Sequence, residues 1–160
     1  MVEVPLTQGR VAKVCECHLN LVKNYKWSVS SGYVVARSKN GHVKMHRLIT
    51  QAPKGKLVDH ENHDKLDNRC SNLRVCTSAE NMANRVRNKT NSSGYKGVFF
   101  DKTMNRRKRW AAMIRVNEKN LRLGRYLTPE EAAIAYNDTA IKYRGAFAML
   151  NKIERIVPSA

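Results

Sequence analysis

The chain has 160 residues, a length that suits one domain or two small ones. It carries 30 Lys and Arg against 13 Asp and Glu, a formal net charge of +17, and its 42% of hydrophobic residues is enough for a packed core. Residues 1–91 hold 16 basic and 7 acidic side chains, and residues 92–160 hold 14 and 6. These net charges of +9 and +8 exclude a single basic tail on a neutral body and indicate a nucleic acid as the partner of both halves.

The sequence has no apolar run long enough to span a bilayer, and its first residues lack the hydrophobic segment of a signal peptide. We therefore expect a cytoplasmic protein with reduced cysteines. Cys15, Cys17, Cys70 and Cys76 have the spacings C-x-C and C-x5-C, which differ from the paired C-x2-C of structural zinc sites. The spacing predicts buried free thiols and no zinc.

Residues 1–45 alternate short β-like runs with turn signals, namely GRVAKV, YKWSV and GYVVARS. This pattern predicts one small antiparallel sheet with Trp27, Tyr33 and Val35 in its core. The segment HLNLVKNY between the first two runs predicts a short helix.

Residues 46–91 are dense in His, Asp, Asn and Arg, a composition that favours chemistry over a plain core or surface. LRVC has the alternation of a short strand, and Thr77 with Glu80 forms a capping box that places Asn81 in the first turn of a helix. The following residues 85–93, RVRNKTNSS, predict a basic linker. Its Arg85, Arg87 and Lys89 either follow DNA phosphates or belong to a merely solvated connector.

From Gly94 onward the runs GYKGVFF, RWAAMIRV and LRLGRY predict three antiparallel strands. Thr128 and Pro129 then begin a helix that Gly145 ends. The predicted fold class is α+β: a small N-terminal β-sheet and the region rich in His, Asp and Asn form one domain over residues 1–84, a linker covers 85–93, and a three-stranded sheet packed on one helix covers 94–153.

The middle strand of that second domain has two different faces. Alternation directs Trp110, Ala112, Ile114 and Val116 towards the helix, and Arg109, Ala111, Met113 and Arg115 to the opposite side. A basic three-stranded sheet can enter the major groove of DNA, although arginines on an exposed sheet can also serve solvation alone. The predicted DNA contacts of this domain are Lys96, Arg109, Trp110, Arg115 and Arg122.

The segment VDHENHDKLDNRCSNLRVCTSAEN, residues 58–81, offers every part that phosphodiester hydrolysis needs. The carboxylate of Asp59 and the amide oxygen of Asn81 are hard ligands suited to Mg²⁺. His60 can accept a proton from water, because its ordinary pKa lies near neutrality. Taken alone, the AspHis dipeptide would be read as a surface pair.

This segment resembles the HNH, or ββα-metal, nucleases. The resemblance implies that Asp59 and Asn81 bind Mg²⁺, with Mn²⁺ as a possible substitute, that His60 activates water, and that Asn72 holds the hairpin loop. Asn81 in the last motif position gives the His-Asn-Asn variety, which is known in homing enzymes encoded in bacteriophage introns. A phage-encoded enzyme would act in the host cytoplasm.

Further residues near this segment also fit the family. The preceding MHRLI places His46 and Arg47 as phosphate contacts, with a structural hydrogen bond as the alternative for His46. Arg69 and Arg74 are predicted to clamp the scissile phosphate or its neighbour. At the N-terminus, VPLTQGRVAKV and YKW resemble the leader of phage HNH proteins, where relatives carry acidic residues in place of CECHLN.

The C-terminal 60 residues resemble the plant Apetala-type, ethylene-response-factor DNA-binding domain through SGYKGV, RWAAMIRV, LRLGRY and TPEEAAIAY. The resemblance implies that DNA is read by the open sheet face, including Lys96, Arg115 and Arg122. This chain has Phe99 and Asp101 where plant members have arginines, so the plant recognition sequence does not carry over.

These features together predict a site-specific DNA endonuclease that binds double-stranded DNA and is a monomer in solution. The alternative is a DNA-binding regulator with an inactive nuclease domain. An RNA-binding protein ranks last, because the chain lacks the aromatic stacking motifs of RNA-binding sheets.

Overall fold

The computed structural model describes residues 1–39, 41–86, 91–102, 107 and 109–153. It divides into two compact units, Met1–Met82 and Ala83–Ala160. Both contain strands and helices, in agreement with the predicted α+β class. Within the described ranges, no helix is long and apolar enough to cross a membrane.

The N-terminal unit contains three small antiparallel sheets. Their strands are β1 (Val2–Pro5) with β2 (Val11–Val14), then β3 (Trp27–Ser30) with β4 (Tyr33–Ser38) and β5 (Gly41–Lys44), and finally β6 (Leu57–His60) with β7 (Leu73–Cys76). The prediction of one sheet across residues 1–45 is therefore wrong. Strand β2 pairs instead with β1, which was not among the predicted strands. Leu6 N donates to Arg10 O at 2.8 Å and closes the turn between them.

Three short helices lie in the described part of this unit: α1 (Leu19–Val22) and α2 (Met45–Thr50) come between the sheets, and α3 (Ser78–Ala83) follows β7. The first confirms the helix predicted in HLNLVKNY. The third begins at the predicted capping box, where Thr77 Oγ1 accepts from Glu80 N at 3.2 Å and Thr77 N donates to Glu80 Oε2 at 2.7 Å. These reciprocal bonds satisfy backbone donors that the first turn of a helix leaves without partners.

The core of this unit forms around Trp27, which is 2% exposed. Its indole Nε1 donates to Val22 O at 2.9 Å, so the polar edge of the ring is satisfied while its body is buried. Val35 is also buried, as predicted. Tyr33, predicted in the core, is only half-buried, and its ring lies beside the imidazoles of His46 and His60.

The C-terminal unit has the predicted three strands and helix. Strands β8 (Val98–Phe100), β9 (Trp110–Val116) and β10 (Lys119–Tyr126) form an antiparallel sheet with β9 in the centre, and α4 (Pro129–Arg144) packs on it. Thr128 Oγ1 accepts from Glu131 N at 3.2 Å, which confirms the predicted N-cap. Helix α4 ends at Arg144 with Gly145 as its C-cap, also as predicted.

Small side chains let α4 lie close to the sheet. Ala132, Ala133 and Ala140 are fully buried against the strands, and Tyr136 is 2% exposed. The helix-facing side of β9 is the predicted one, since all four of its predicted residues pack in the clusters under α4: Trp110, Ala112, Ile114 and Val116. The other sheet face is not covered by α4.

Candidate active site

Asp59 and His60 lie at the end of strand β6 and are both buried, with 6% and 5% of their surface exposed. The antiparallel register of β6 and β7 sets Asp59 opposite Arg74 and His60 opposite Leu73. Two buried ionisable side chains need polar partners, because burying them without partners costs free energy. The surface-pair alternative for this dipeptide is therefore wrong.

Arg74 is the partner of the Asp59 carboxylate. Its Nη2 donates to Asp59 Oδ2 at 2.5 Å, and its Nη1 lies 3.6 Å from Glu61 Oε1. The guanidinium thus fixes Asp59 on the hairpin and offsets part of its desolvation. The structure brings the predicted phosphate clamp Arg74 to the predicted metal ligand Asp59.

The imidazole of His60 lies between aromatic rings and one amide. The ring of His46 meets it edge-on with centroids 5.3 Å apart, and Tyr33 lies 6.1 Å away. His60 Nε2 is 3.5 Å from Asn68 Oδ1. Burial is the main cause that lowers the pKa of His60, against the opposing influence of Asn68 and nearby carboxylates. A lowered pKa keeps this imidazole neutral at pH 7.

Asn68 fixes which nitrogen of His60 carries the proton. The amide Nδ2 of Asn68 donates to the carbonyls of Leu66 at 3.2 Å and Lys65 at 3.4 Å, which turns its Oδ1 towards His60. An amide oxygen only accepts, so His60 Nε2 is the donor in this pair. Neutral His60 therefore holds its lone pair on Nδ1, and Nδ1 is the nitrogen able to accept a proton.

His46, predicted to contact phosphate, is buried on helix α2 next to His60. Burial, followed by the nearby charges of His60, Lys44 and Arg47, lowers the pKa of His46 to about 4. Its Nδ1 is buried and has no hydrogen-bond partner among the described residues. The structural hydrogen bond considered for His46 is thus not found at Nδ1.

Asn72 ties together the loop between β6 and β7. Its Oδ1 accepts from Asn62 N at 3.0 Å, and its Nδ2 donates to Asp67 O at 2.7 Å. Asn62 Nδ2 in turn donates to Asp67 Oδ2 at 2.9 Å. Because this loop follows His60 directly, the network restricts the backbone that orients the imidazole. Asn62, Asp67 and Asn68 were not among the predicted site residues, although the polar run DNRCSN is a signal for such a network.

Two arginines predicted to bind DNA hold loops of this unit. Arg69 donates Nε and Nη2 to Asp67 at 2.8 and 2.6 Å, and this contact holds the pKa of the Asp67 carboxyl below its usual range. Arg47 donates to the carbonyls of Lys56 and Ala52, both at 2.8 Å, after the end of α2. Asn81 is half-buried in α3, where its backbone N–H donates to Thr77 O at 3.0 Å.

In the C-terminal unit, cross-strand pairs define the open sheet face. Met113 lies opposite Arg122, Ala111 opposite Arg125, and Arg115 opposite Asn120. Arg115 and Arg122 are exposed there, and Arg109 is exposed just before β9. Arg125 was not among the predicted residues, and its Nη2 donates to Asp101 Oδ2 at 2.8 Å.

Other predicted DNA contacts occupy different positions. Lys96 lies before β8 rather than in it, and its Nζ donates to Ala83 O at 2.7 Å and Arg85 O at 2.5 Å. Burial lowers the pKa of Lys96 to about 8. Trp110 is half-buried and packs edge-on against Phe100, with ring centroids 5.0 Å apart. Arg85 is exposed, whereas Arg87 and Lys89 lie outside the described residues.

Three cysteines and a histidine lie together in the N-terminal unit. The ligand atoms of Cys15, Cys17, His18 and Cys70 are all within 4.8 Å of one another. Cys17 and Cys70 are exposed, so the prediction of buried thiols fits Cys76 but is wrong for these two. Spacing along the chain did not indicate this cluster, because the fold joins Cys15, Cys17 and His18 to Cys70 from a distant segment.

Comparison with known proteins relates the first unit to nucleases. Residues 33–83 match a family model described as HNH endonuclease. Over 141 residues the chain is 36% identical to an uncharacterized HNH endonuclease of Acanthamoeba polyphaga mimivirus, an alignment that covers 84% of this chain and 71% of the relative. No solved structure shows significant similarity to the chain. The matched range 33–83 contains Asp59, His60, Asn72 and Asn81.

Proposed function

Because the chain belongs to the HNH endonuclease family, we propose that it is a site-specific DNA endonuclease of the phage homing type, with His60 as general base. The observation that carries this proposal is the environment of His60. It is a buried imidazole whose pKa burial lowers, with Nε2 3.5 Å from Asn68 Oδ1. This contact favours the tautomer with the lone pair on Nδ1. A base held in one tautomer needs no reorientation before it takes a proton.

In the proposed reaction, Nδ1 of His60 takes a proton from a water molecule beside the DNA backbone. The oxygen of that water attacks phosphorus in line, and the bond from phosphorus to one ester oxygen breaks. The leaving oxygen takes up a proton from solvent, so the products are one phosphate monoester end and one hydroxyl end. Asn72 acts as a positioning residue, because its two bonds hold the loop that follows His60.

The donor chemistry at the site fits a hard divalent cation. Asp59 supplies a buried carboxylate that Arg74 fixes, and Asn81 supplies an amide oxygen from α3, the helix that follows the hairpin. These are oxygen ligands of the kind that Mg²⁺ takes, and Mn²⁺ accepts the same set. When bound, such an ion supplies positive charge against the phosphate and the leaving oxygen.

The C-terminal unit is proposed to bring the nuclease to its DNA site, as the resemblance to the Apetala-type domain implies. Arg115 and Arg122 are exposed on the open sheet face, and Arg109 is exposed beside it. Arginine forms paired hydrogen bonds with guanine in the major groove. The net charge of +17 adds attraction to phosphates regardless of sequence. Binding strength would come mainly from the charge, and site choice from the arginines.

A plasmid cleavage assay tests the proposal. Full-length protein is incubated with supercoiled plasmid and Mg²⁺ or Mn²⁺, and the His60→Ala variant is compared with His42→Ala, which removes an exposed histidine from β5. We expect wild type and His42→Ala to nick or linearise the plasmid. His60→Ala should bind the same DNA with cleavage reduced at least about 100-fold, the usual contribution of a general base. Binding without cleavage by the wild type would instead support a DNA-binding regulator.

A further inference from the structure

The cluster of Cys15, Cys17, His18 and Cys70 joins two distant parts of the N-terminal unit. Cys15 follows β2, and Cys17 and His18 lie in the 3₁₀ turn Glu16–His18 that comes next. Cys70 begins a second 3₁₀ turn, Cys70–Asn72, directly before β7. The four side chains therefore meet where the end of the β1–β2 hairpin lies beside the loop between β6 and β7.

Backbone hydrogen bonds place this cluster independently of its sulfur atoms. Lys13 N donates to Leu66 O at 2.9 Å, and Asn68 N donates to Lys13 O at 2.8 Å. They form a parallel bridge between Lys13 and Asp67. Because Cys15 and Cys70 lie two and three residues beyond the bridged pair, the main chain itself brings their side chains together.

The distances within the cluster approach the edges of a metal-centred tetrahedron. Cys15 Sγ lies 3.1 Å from Cys70 Sγ, and His18 Nδ1 lies 3.3 Å from Cys70 Sγ and 3.5 Å from Cys17 Sγ. With Zn–S near 2.3 Å and Zn–N near 2.0 Å, tetrahedral ligand atoms are separated by about 3.5–3.8 Å. Small side-chain movements suffice to pass from these distances to that geometry.

We propose that Cys15, Cys17, Cys70 and Nδ1 of His18 bind one structural zinc ion. Thiolates and an imidazole suit zinc rather than magnesium, and four protein ligands leave no open position for a substrate. Binding converts three thiols to thiolates and releases three protons to solvent, with no change in oxidation state. The loaded site carries a net charge of −1, which a chain of charge +17 accommodates readily.

A further contact agrees with a thiolate at Cys15. The backbone N–H of Cys70 donates to Cys15 Sγ at 3.1 Å. Hydrogen bonds of this kind to a ligand atom fix its direction towards a metal. The site shares no residue with the set proposed to hold Mg²⁺, and it adds to the nuclease proposal without depending on it.

The position of Cys70 indicates what the ion would stabilise. Cys70 lies between Asn68, which faces His60, and Asn72, which bonds Asn62 and Asp67. A zinc ion would clamp this loop to the end of β2 and so limit local opening next to the candidate base. Removal of zinc should therefore lower the melting temperature of the N-terminal unit, and zinc but not excess magnesium should restore it.

Metal analysis of the full chain tests the proposal directly. The protein is produced under reducing conditions with added zinc, and bound metal is measured by mass spectrometry after extensive dialysis. We expect about one zinc ion per wild-type chain, as a four-ligand structural site requires. Cys15→Ser and Cys70→Ser should lose most of it. The matched control Cys76→Ala, which removes the buried thiol of β7 outside the cluster, should keep it.

Cobalt substitution gives a readout on the wild type that does not depend on whether the variants fold. Metal-free protein titrated with Co²⁺ should develop the strong visible absorption of tetrahedral cobalt bound by thiolates, and Zn²⁺ should abolish it. Wild type that neither retains zinc nor gives this absorption overturns the proposal. So does a disulfide between Cys15 and Cys70 in protein prepared under reducing conditions. None of these readouts uses DNA cleavage, so they remain informative if the nuclease proposal fails.

Discussion

Replacing Gly97 with alanine should strongly destabilise the C-terminal unit, because two unfavourable effects meet at this residue. Gly97 has a φ of +75°, in the left-handed region that side chains disfavour. A Cβ atom there would lie 2.2 Å from Cδ2 of Tyr136 and 2.7 Å from the carbonyl oxygen of Met113. Tyr136 lies on the buried side of α4 and is 2% exposed, so its ring has little room to move away.

A second glycine allows the two effects to be separated. Gly94 has nearly the same φ, +78°, but a Cβ there would meet nothing within 4 Å. Holding alanine in the left-handed backbone conformation should cost about 1–2 kcal/mol at either residue. The overlap at Gly97 should add about 1–3 kcal/mol, as extra atoms in a packed core usually do. The expected loss is thus about 2–5 kcal/mol for Gly97→Ala, with only the backbone part for Gly94→Ala.

Hydrogen exchange in increasing urea measures this difference for the C-terminal unit alone. Peptides from β9 and α4 report its unfolding, while peptides from β3 and β4 serve as an internal reference. Gly97→Ala should lower the free energy of unfolding by at least about 1 kcal/mol more than Gly94→Ala does. Equal effects of the two substitutions would refute the close packing of Gly97 against Tyr136.

Three further predictions concern the site, acid stability and DNA binding. Asn72→Ala should cost about 1–3 kcal/mol and speed hydrogen exchange in residues 61–69, because it removes the partners of Asn62 N and of the buried Asp67 O. Unchanged exchange would contradict the role of Asn72 in the loop. Between about pH 6.5 and 4 the unfolded chain protonates His46 while the folded chain does not, so acid favours unfolding. The protonation of His46 should lower the free energy of unfolding by about 2 kcal/mol between pH 7 and 5. In denaturant titrations, His46→Leu should therefore lose about 2 kcal/mol less than the wild type over this range. An equal loss in both proteins would contradict this prediction. Arg122→Ala should weaken duplex binding by about 1–3 kcal/mol in a fluorescence anisotropy titration. The control Lys119→Ala, on the helix side of the same strand, should have little effect. Equal losses of affinity would argue against DNA readout by the open face.

Local sequence signals predicted the C-terminal unit well. Thr128 and Pro129 begin α4, and Gly145 ends it, because capping depends on residues that are neighbours in sequence. Alternation in β9 also sorted its residues correctly between the helix side and the open face. The same reasoning put Lys96 on that face, but its ammonium group turns inward to backbone carbonyls that no local pattern identifies.

The candidate site was predictable in its motif but not in its contacts. Residues 58–81 resemble the HNH nuclease segment, and the fold gathers polar partners around Asp59, His60 and Asn72. Those partners come from tertiary structure: Arg74 faces Asp59 through strand register, and Asn68 reaches His60 from the loop. The Cys and His cluster is the clearest case, since residues 15 and 70 meet only because Lys13 pairs with Asp67.

Chemical rescue of the His60→Ala variant by imidazole tests most directly whether His60 is the base in DNA cleavage. The substitution empties a buried position beside Asn68 that free imidazole can fill. Plasmid cleavage by this variant should be nearly absent, should rise with imidazole concentration, and should follow the neutral fraction of imidazole as pH is raised. Cleavage by His60→Ala at the wild-type rate, without imidazole, would contradict the account.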